Sequence, residues 1–317
     1  MLLNGFGEPL KMEVPYNFDP ALLEELKKPR YKNIVDMIFT CPYIEDHNGA
    51  KKYYTAESKS HLNILNFPKT WEEYVTHVRA IQATGHDCCL LVQDILKPMD
   101  SAVLQKYIDL GIKVFTVTRW DVALKIRELC PDARIVGSIT RKVSFAEYKN
   151  DINVSAFDEH VLYFPFNICL DRLQDLNNRQ KYVMLVNCGC SGLCPGHYHW
   201  YEDIIGKELK ERNGSCKEMK RKTGILMMPQ LLPQFAKYIA KIKLQGREYP
   251  TNLLISDIRN YSDIILLGNT LNLDNIANKT TLSYSLVKSS EYIQDEVVYN
   301  KYPGFTLEDG WAEWNFK

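Results

Sequence analysis

The sequence lacks an excess of either charge. Its 317 residues hold 39 Lys plus Arg and 39 Asp plus Glu, a formal net charge of zero. That balance removes the long-range attraction typical of nucleic-acid binders, so a DNA partner is not expected, although a local basic patch is compatible with it. No stretch approaches the roughly 18–20 apolar residues that a membrane span needs. The first ten residues, Met1 to Leu10, have no basic segment leading into an apolar run. A secretory signal is therefore not expected, and a soluble, cytoplasmic protein is. Internal repeats and low-complexity tracts are absent, and no strand is followed by the Gly-rich fingerprint of a dinucleotide-binding sheet.

Apolar residues make up 45% of the chain, enough for a substantial core. A strand-then-helix rhythm runs through most of it. Candidate strands are Lys11–Asn17, Asn33–Cys41, Asp87–Gln93, Lys113–Thr118, Arg134–Ile139, His160–Pro165, Tyr182–Asn187 and Ile225–Met228. They are short and mostly continuously apolar, the pattern of strands buried on both faces in a parallel sheet. Trp71, Tyr74, Val75, Val78 and Ile81 share one helical face; Ser101 is placed to cap the next helix and Gly111 to end it; a third, from Asp121 to Leu129, stops before Pro131. Strands alternating with helices of this length predict an α/β fold of right-handed βαβ units, and eight of them predict a TIM-like (β/α)8 barrel ahead of an open doubly wound sheet. Glu202–Lys222 reads as a charged insertion, and Leu231–Ile242 and Tyr249–Tyr261 as helices flanking a Lys-Ile-Lys-Leu-Gln-Gly-Arg connection. The expected organisation is a barrel over residues 1–268, with a cysteine-bearing insertion at about 188–222, and an extension over 269–317 packed on it.

Nine cysteines are more than a core needs, and in a reducing compartment clustered cysteines point to metal or redox chemistry. Cys190 and Cys194 lie in a Gly-rich turn directly after a buried strand, and Cys216 follows 22 residues after Cys194. Thiolates are soft ligands that favour iron–sulfur clusters or zinc. A 4Fe–4S cluster usually takes four of them. Cys41, which ends a strand and precedes Pro42, reaches the C-terminal mouth of a barrel and is the leading fourth ligand; Cys188, two residues before Cys190, is its rival. Zinc, with His197 or His199 as a nitrogen ligand, is the alternative metal; around a cluster those two histidines would tune its potential. Cys88, Cys89, Cys130 and Cys169 read as structural. Three residues beyond Cys194 stands His197, so a CxxxCxxC radical motif is absent, as is an HExxH helix.

Polar residues at strand ends face the mouth of a barrel and are the candidates for contact with substrate: Asn17, Gln93, Asp94, Arg119, Asn167, Asn187 and Gln230. Asp94, Arg119 and Asn187 are the catalytic candidates, Asp94 as acid or base and Arg119 as an anion clamp. Asn17, Asn167, Gln230 and Arg247 are the substrate-binding candidates. Plainer readings exist: Arg119 paired with Asp121, Asp94 as a turn residue, Arg247 paired with Glu248, and the basic run Lys217–Lys222 as a solvated helix face.

Four ordered segments resemble the collagenase-like peptidase family U thirty-two, in its short cluster-binding members. They are Met12-Glu13-Val14-Pro15-Tyr16-Asn17; Leu185-Val186-Asn187-Cys188-Gly189-Cys190 with Cys194-Pro195, like a "VNEGC…CP" turn; Cys216; and Met228-Pro229-Gln230 followed by Lys243-Leu244-Gln245-Gly246-Arg247, like "IRPED…KIAGR". The resemblance covers about residues 11 to 262. It implies a TIM-like barrel, a 4Fe–4S cluster on four cysteines and, in several relatives, oxygen-independent hydroxylation of quinone precursors or RNA bases. Two positions depart from it: Cys188 stands for the glutamate of the turn, and His197 for the arginine three residues after its second cysteine. The expectation is thus an iron–sulfur redox enzyme of the hydroxylase type, with a small molecule or an RNA base as substrate. A noncatalytic cluster-bearing partner subunit and a zinc-binding peptidase-like protein are the alternatives.

Overall fold

The computed structural model describes residues 1–43, 66–92, 99–139, 156–162, 173, 176, 179–187, 232–247 and 250–268. Eight parallel strands close into a barrel in strictly sequential order. They are β1 (Lys11–Pro15), β2 (Val35–Thr40), β3 (Asp87–Val92), β4 (Val114–Val117), β5 (Arg134–Gly137), β6 (Glu159–Val161), β7 (Tyr182–Leu185) and β8 (Lys241–Lys243). Closure is direct, since β8 pairs β7 through Met184↔Ile242 and β1 through Met12↔Ile242. The (β/α)8 expectation is met, and the open sheet is excluded by that closure.

Seven strands fall on the segments expected of them. The eighth does not. Ile225–Met228 lies outside the described residues, and β8 forms instead from Lys241–Lys243, inside the stretch read as the end of a helix and a connection. The helix there spans only Leu232–Ala236 (α5). The physical reason is an inverted pattern: β8 turns its two lysines into the barrel, where carboxylates meet them, so polar residues occupy the positions that apolar ones usually mark.

The covering helices among the described residues are α1 (Pro20–Leu26), α2 (Trp71–Gln82), α3 (Ser101–Asp109), α4 (Trp120–Leu129), α5 and α6 (Thr251–Leu267). Thr70 caps α2 by accepting from the Glu73 amide, and Tyr74, Val78 and Ile81 form its buried stripe. The cap of α3 is Asp100 rather than Ser101, because the Asp100 carboxylate accepts from the Ala102 amide at 2.7 Å. Helix α6 is longer than expected, reaching Leu267 before Gly268 at φ 59°. It is bound to α1 by Glu25, whose carboxylate accepts from Arg259, Lys28 and Tyr31 and is held down to about pKa 2, chiefly by the Arg259 hydrogen bond.

TIM-barrel interiors are normally filled by branched apolar side chains. This one carries charge. At the N-terminal floor, Lys241 Nζ lies 2.5 Å from Glu159 Oε1 and 2.8 Å from Asp36 Oδ2, and Arg134 Nη1 lies 3.1 Å from Asp36 Oδ2. One layer higher, Lys243 Nζ lies 2.5 Å from Glu13 Oε2 and 4.0 Å from the centroid of the Phe39 ring. Cys89 Sγ, 3.3 Å from Thr116 Oγ1, belongs to the same interior. Burial pushes its thiol up to about 11, so it is protonated at neutral pH.

Candidate functional site

The C-terminal mouth is described best along β7, β8 and β1, three neighbouring strands. Asn187 follows β7, Gln245 and Arg247 follow β8, and Asn17 follows β1. The first two lock together. Asn187 Nδ2 donates to the Gln245 carbonyl at 2.8 Å, and the Gln245 amide donates to Asn187 Oδ1 at 2.6 Å. This clasp extends the β7–β8 pairing beyond the last ladder residue and fixes the height of both chains at the mouth. Asn17 does the equivalent work for β1: its Nδ2 donates to Thr251 Oγ1 at 2.9 Å, and Thr251 Oγ1 donates to Asp19 Oδ2 at 2.5 Å. The start of α6 is thereby joined to the end of β1.

Behind the clasp sits Asp257, on the buried stripe of α6 between Leu254 and Tyr261. It is 3% exposed, its Oδ2 is 3.4 Å from Asn187 Nδ2, and its Oδ1 has no hydrogen-bond partner among the described residues. Tyr261 donates to the Val186 carbonyl at 3.0 Å, tying the same helix to the end of β7. Burial raises the Asp257 carboxyl to about 6, against the smaller opposing effect of Asn187. Because the folded-state value lies above the unfolded one, the native protein binds this proton more tightly. No penalty arises below pH about 4, and the penalty grows as pH rises and is complete above 6. A shift of about two units corresponds to roughly 3 kcal/mol. Asp257→Asn is therefore expected to raise urea-unfolding stability at pH 8 by an amount of that order and to flatten its pH dependence between about 4 and 6.

Arg247 follows Gly246, whose φ of 124° is outside the range that side-chain-bearing residues readily adopt. Arg247 Nη1 is buried with no hydrogen-bond partner among the described residues. Arg119 stands apart, beyond β4 on the other side of the barrel. It pairs bidentately with Asp121, at 2.9 Å from Nε and 2.7 Å from Nη2, and occupies the N-cap position of α4. This is the surface ion pair that the sequence left open as its plainer role.

Cys41 lies directly beyond β2, fully buried. Phe39, two residues earlier, packs against Lys243 in the barrel interior, while Thr40 Oγ1 donates to the Cys41 carbonyl at 3.3 Å. Tyr74 donates to the same carbonyl at 3.0 Å and fixes the backbone there. Cys88 occupies the other face of its strand, next to α2, and Cys130 approaches Asp132 Oδ1 at 3.2 Å on the surface side; both fit the structural roles expected of them.

Gln93, Asp94, Asn167, Cys169, Cys188, Cys190, Cys194, His197, His199, Cys216 and Gln230 lie outside the described residues, as do 188–222 and 269–317. Among the described residues no group of three His, Cys, Asp or Glu side chains is arranged to hold a metal ion, and no helix is long and apolar enough to cross a membrane. Sequence reasoning missed Gln245, Thr251 and Asp257. For Asp257 a signal existed: an acid on a helical stripe of Leu254, Ile258, Tyr261, Ile264 and Ile265 is out of place unless it has work there. Gln245 carried no such signal, because its part is played mainly by its backbone.

No family model matches the sequence, and no curated protein matches it. Solved structures do. The U32 peptidase Mk0906 superimposes with a TM-score of 0.47 at 12% identity, covering 75% of this chain and 93% of that one. Tryptophan synthase from M. tuberculosis, in its aminoacrylate- and BRD0059-bound form, superimposes at 0.42 with 8% identity, covering 89% and 92%.

Proposed function

We propose that this chain is a 4Fe–4S redox enzyme built on a (β/α)8 barrel, related to the cluster-binding side of peptidase family U thirty-two and acting as an oxygen-independent hydroxylase or a similar modifying enzyme. The observation that carries the reading is the thiolate set. In the sequence Cys190 and Cys194 lie in a Gly-rich stretch shortly after the residues of β7, Cys216 follows 22 residues after Cys194, and Cys41 directly follows β2. Four soft ligands are what such a cluster takes. When bound, the cluster supplies one-electron chemistry at the mouth.

The residues of the chain have separate work. The Asn187–Gln245 clasp holds the end of β7, which the cysteine-bearing stretch follows in sequence, at a fixed height relative to β8. Asn17 and Arg247 border the same sector of the rim, with Arg247 suited to an anionic group of a substrate. Asp94, as acid or base, and His197 and His199, as tuning groups, complete the proposal. A small molecule or an RNA base fits this reading as substrate.

The test is anaerobic purification with iron counting and absorption spectroscopy. Brown protein with about four irons per chain is expected, and Cys194→Ala is expected to lose most of the iron while keeping the far-UV circular dichroism of the barrel. Colourless protein with one zinc per chain would replace this reading with the zinc alternative. Cluster-loaded protein that is active only with a second protein would favour a partner-subunit role.

A further inference from the structure

Of the large apolar side chains that stand well exposed among the described residues, three belong to the first six: Met1 at 58%, Leu3 at 48% and Phe6 at 46%. Scattered singly such residues are ordinary, but three on one short hairpin are not scattered. The backbone that displays them is fixed at the floor of the barrel. The Leu2 amide donates to the Ile265 carbonyl near the end of α6 at 2.6 Å, the Leu10 amide donates to the Leu2 carbonyl at 3.0 Å, and Leu3 bridges Pro9 in antiparallel fashion. Asn4 Oδ1 accepts from the Phe6 and Glu8 amides at 2.9 and 3.1 Å and shapes the turn. Gly5 lies so close to the segment after α5 that an added Cβ would collide with the Lys237 carbonyl. Leu2 and Asn4 are buried while Met1 and Leu3 are exposed, so the latter two share the outer side.

The course of the chain points to what covers this face. Helix α6 ends at Leu267, and Gly268, at φ 59°, sits against the N-terminus: a Cβ built there would lie 3.6 Å from the Met1 carbonyl carbon and 3.7 Å from Leu2 N. The sequence runs on through Lys317, beginning Asn269-Thr270-Leu271-Asn272-Leu273-Asp274-Asn275-Ile276. A chain spans at most about 3.6 Å per residue, so Leu271 is within about 11 Å of Gly268 and Leu273 within about 18 Å. Leu271 and Leu273 alternate around Asn272 as Met1 and Leu3 alternate around Leu2. A tether this short gives an effective concentration of order millimolar, well above that of a second copy of the chain in dilute solution.

We propose that the exposed face of the N-terminal hairpin, formed by Met1, Leu3 and Phe6, is the docking surface for the segment that follows α6, with Leu271 and Leu273 seated on it. The contact fastens the start of the 269–317 extension to the floor of the barrel. That is the end opposite the Asn187–Gln245 clasp, so the anchored part of the extension leaves the mouth clear.

Two measurements on the full chain test this. With the photoreactive amino acid p-benzoylphenylalanine in place of Leu3, irradiation and peptide mass spectrometry are expected to find the cross-link within residues 269–276 of the same chain. Adding Leu271→Asp/Leu273→Asp is expected to cut its yield about tenfold, because the buried leucine surface is lost. Irradiating a mixture of unlabelled and heavy-isotope-labelled protein identifies the chain of origin. Light–heavy pairs mean that a second copy occupies the face and overturn the proposal. Cross-links to other segments only, no cross-link at all, or a yield indifferent to the two aspartates overturn it too. Hydrogen exchange gives a reading without the probe. In Leu3→Asp the amides of residues 270–276 are expected to exchange about tenfold faster than in the wild type while those of β1 and α6 hold; equal rates overturn the proposal.

Discussion

Lys243→Met is expected to destabilise the protein by about 3–5 kcal/mol in urea unfolding, the usual cost of stranding one half of a buried ion pair. The partner left behind is Glu13, fully buried, with Lys243 Nζ 2.5 Å away as its hydrogen-bonding counter-charge. The loss also removes an ammonium lying 4.0 Å from the centroid of the Phe39 ring, a contact worth up to about 2 kcal/mol when desolvated. Removing both partners is a different experiment. Glu13→Leu/Lys243→Met replaces the pair by apolar groups of similar volume and is expected to recover most of the loss, because neither charge then has to be desolvated. If the double variant is as unstable as the single, the pair is holding more of the interior together than its own two charges.

The second large effect concerns the proposed fourth ligand of the proposed cluster. Cys41→Ala is expected to leave the anaerobically purified protein with a depleted or three-iron cluster, whereas Cys188→Ala retains the full iron complement. The basis is positional. Cys41 directly follows β2, fully buried, and its backbone is held by Tyr74; Cys188 follows Asn187, whose side chain is committed to the Gln245 clasp. Iron per chain and the electron paramagnetic resonance signal of each variant decide the matter. Full iron in Cys41→Ala with loss in Cys188→Ala reverses the assignment.

How much of this was readable beforehand depended on where each signal resides. Seven strands were legible because a strand buried on both faces is a short, continuous apolar run between turn residues. The eighth was not, since Lys241-Ile242-Lys243 has the composition of a surface loop until its carboxylate partners are known, and those come from β1, β2 and β6, far away in sequence. Asn17 and Asn187 were identified at the rim because strand ends follow from strand positions. Their use as clasps, to Thr251 and Gln245, depends on a contact across the closure of the barrel.

The cysteines divide along the same line. That Cys190, Cys194 and Cys216 form a spaced thiolate set is a property of local chemistry and distance along the chain, which is why it can be proposed from the amino-acid sequence. The sequence by itself also determined the alternation of strand and helix, hence the parallel barrel, since period and turn chemistry act within a few residues. Only the tertiary structure decided which strand closes the barrel and that its interior is charged. Those outcomes rest on electrostatic partners and strand register brought together by closure, and no local stretch of sequence contains both halves of such a pair.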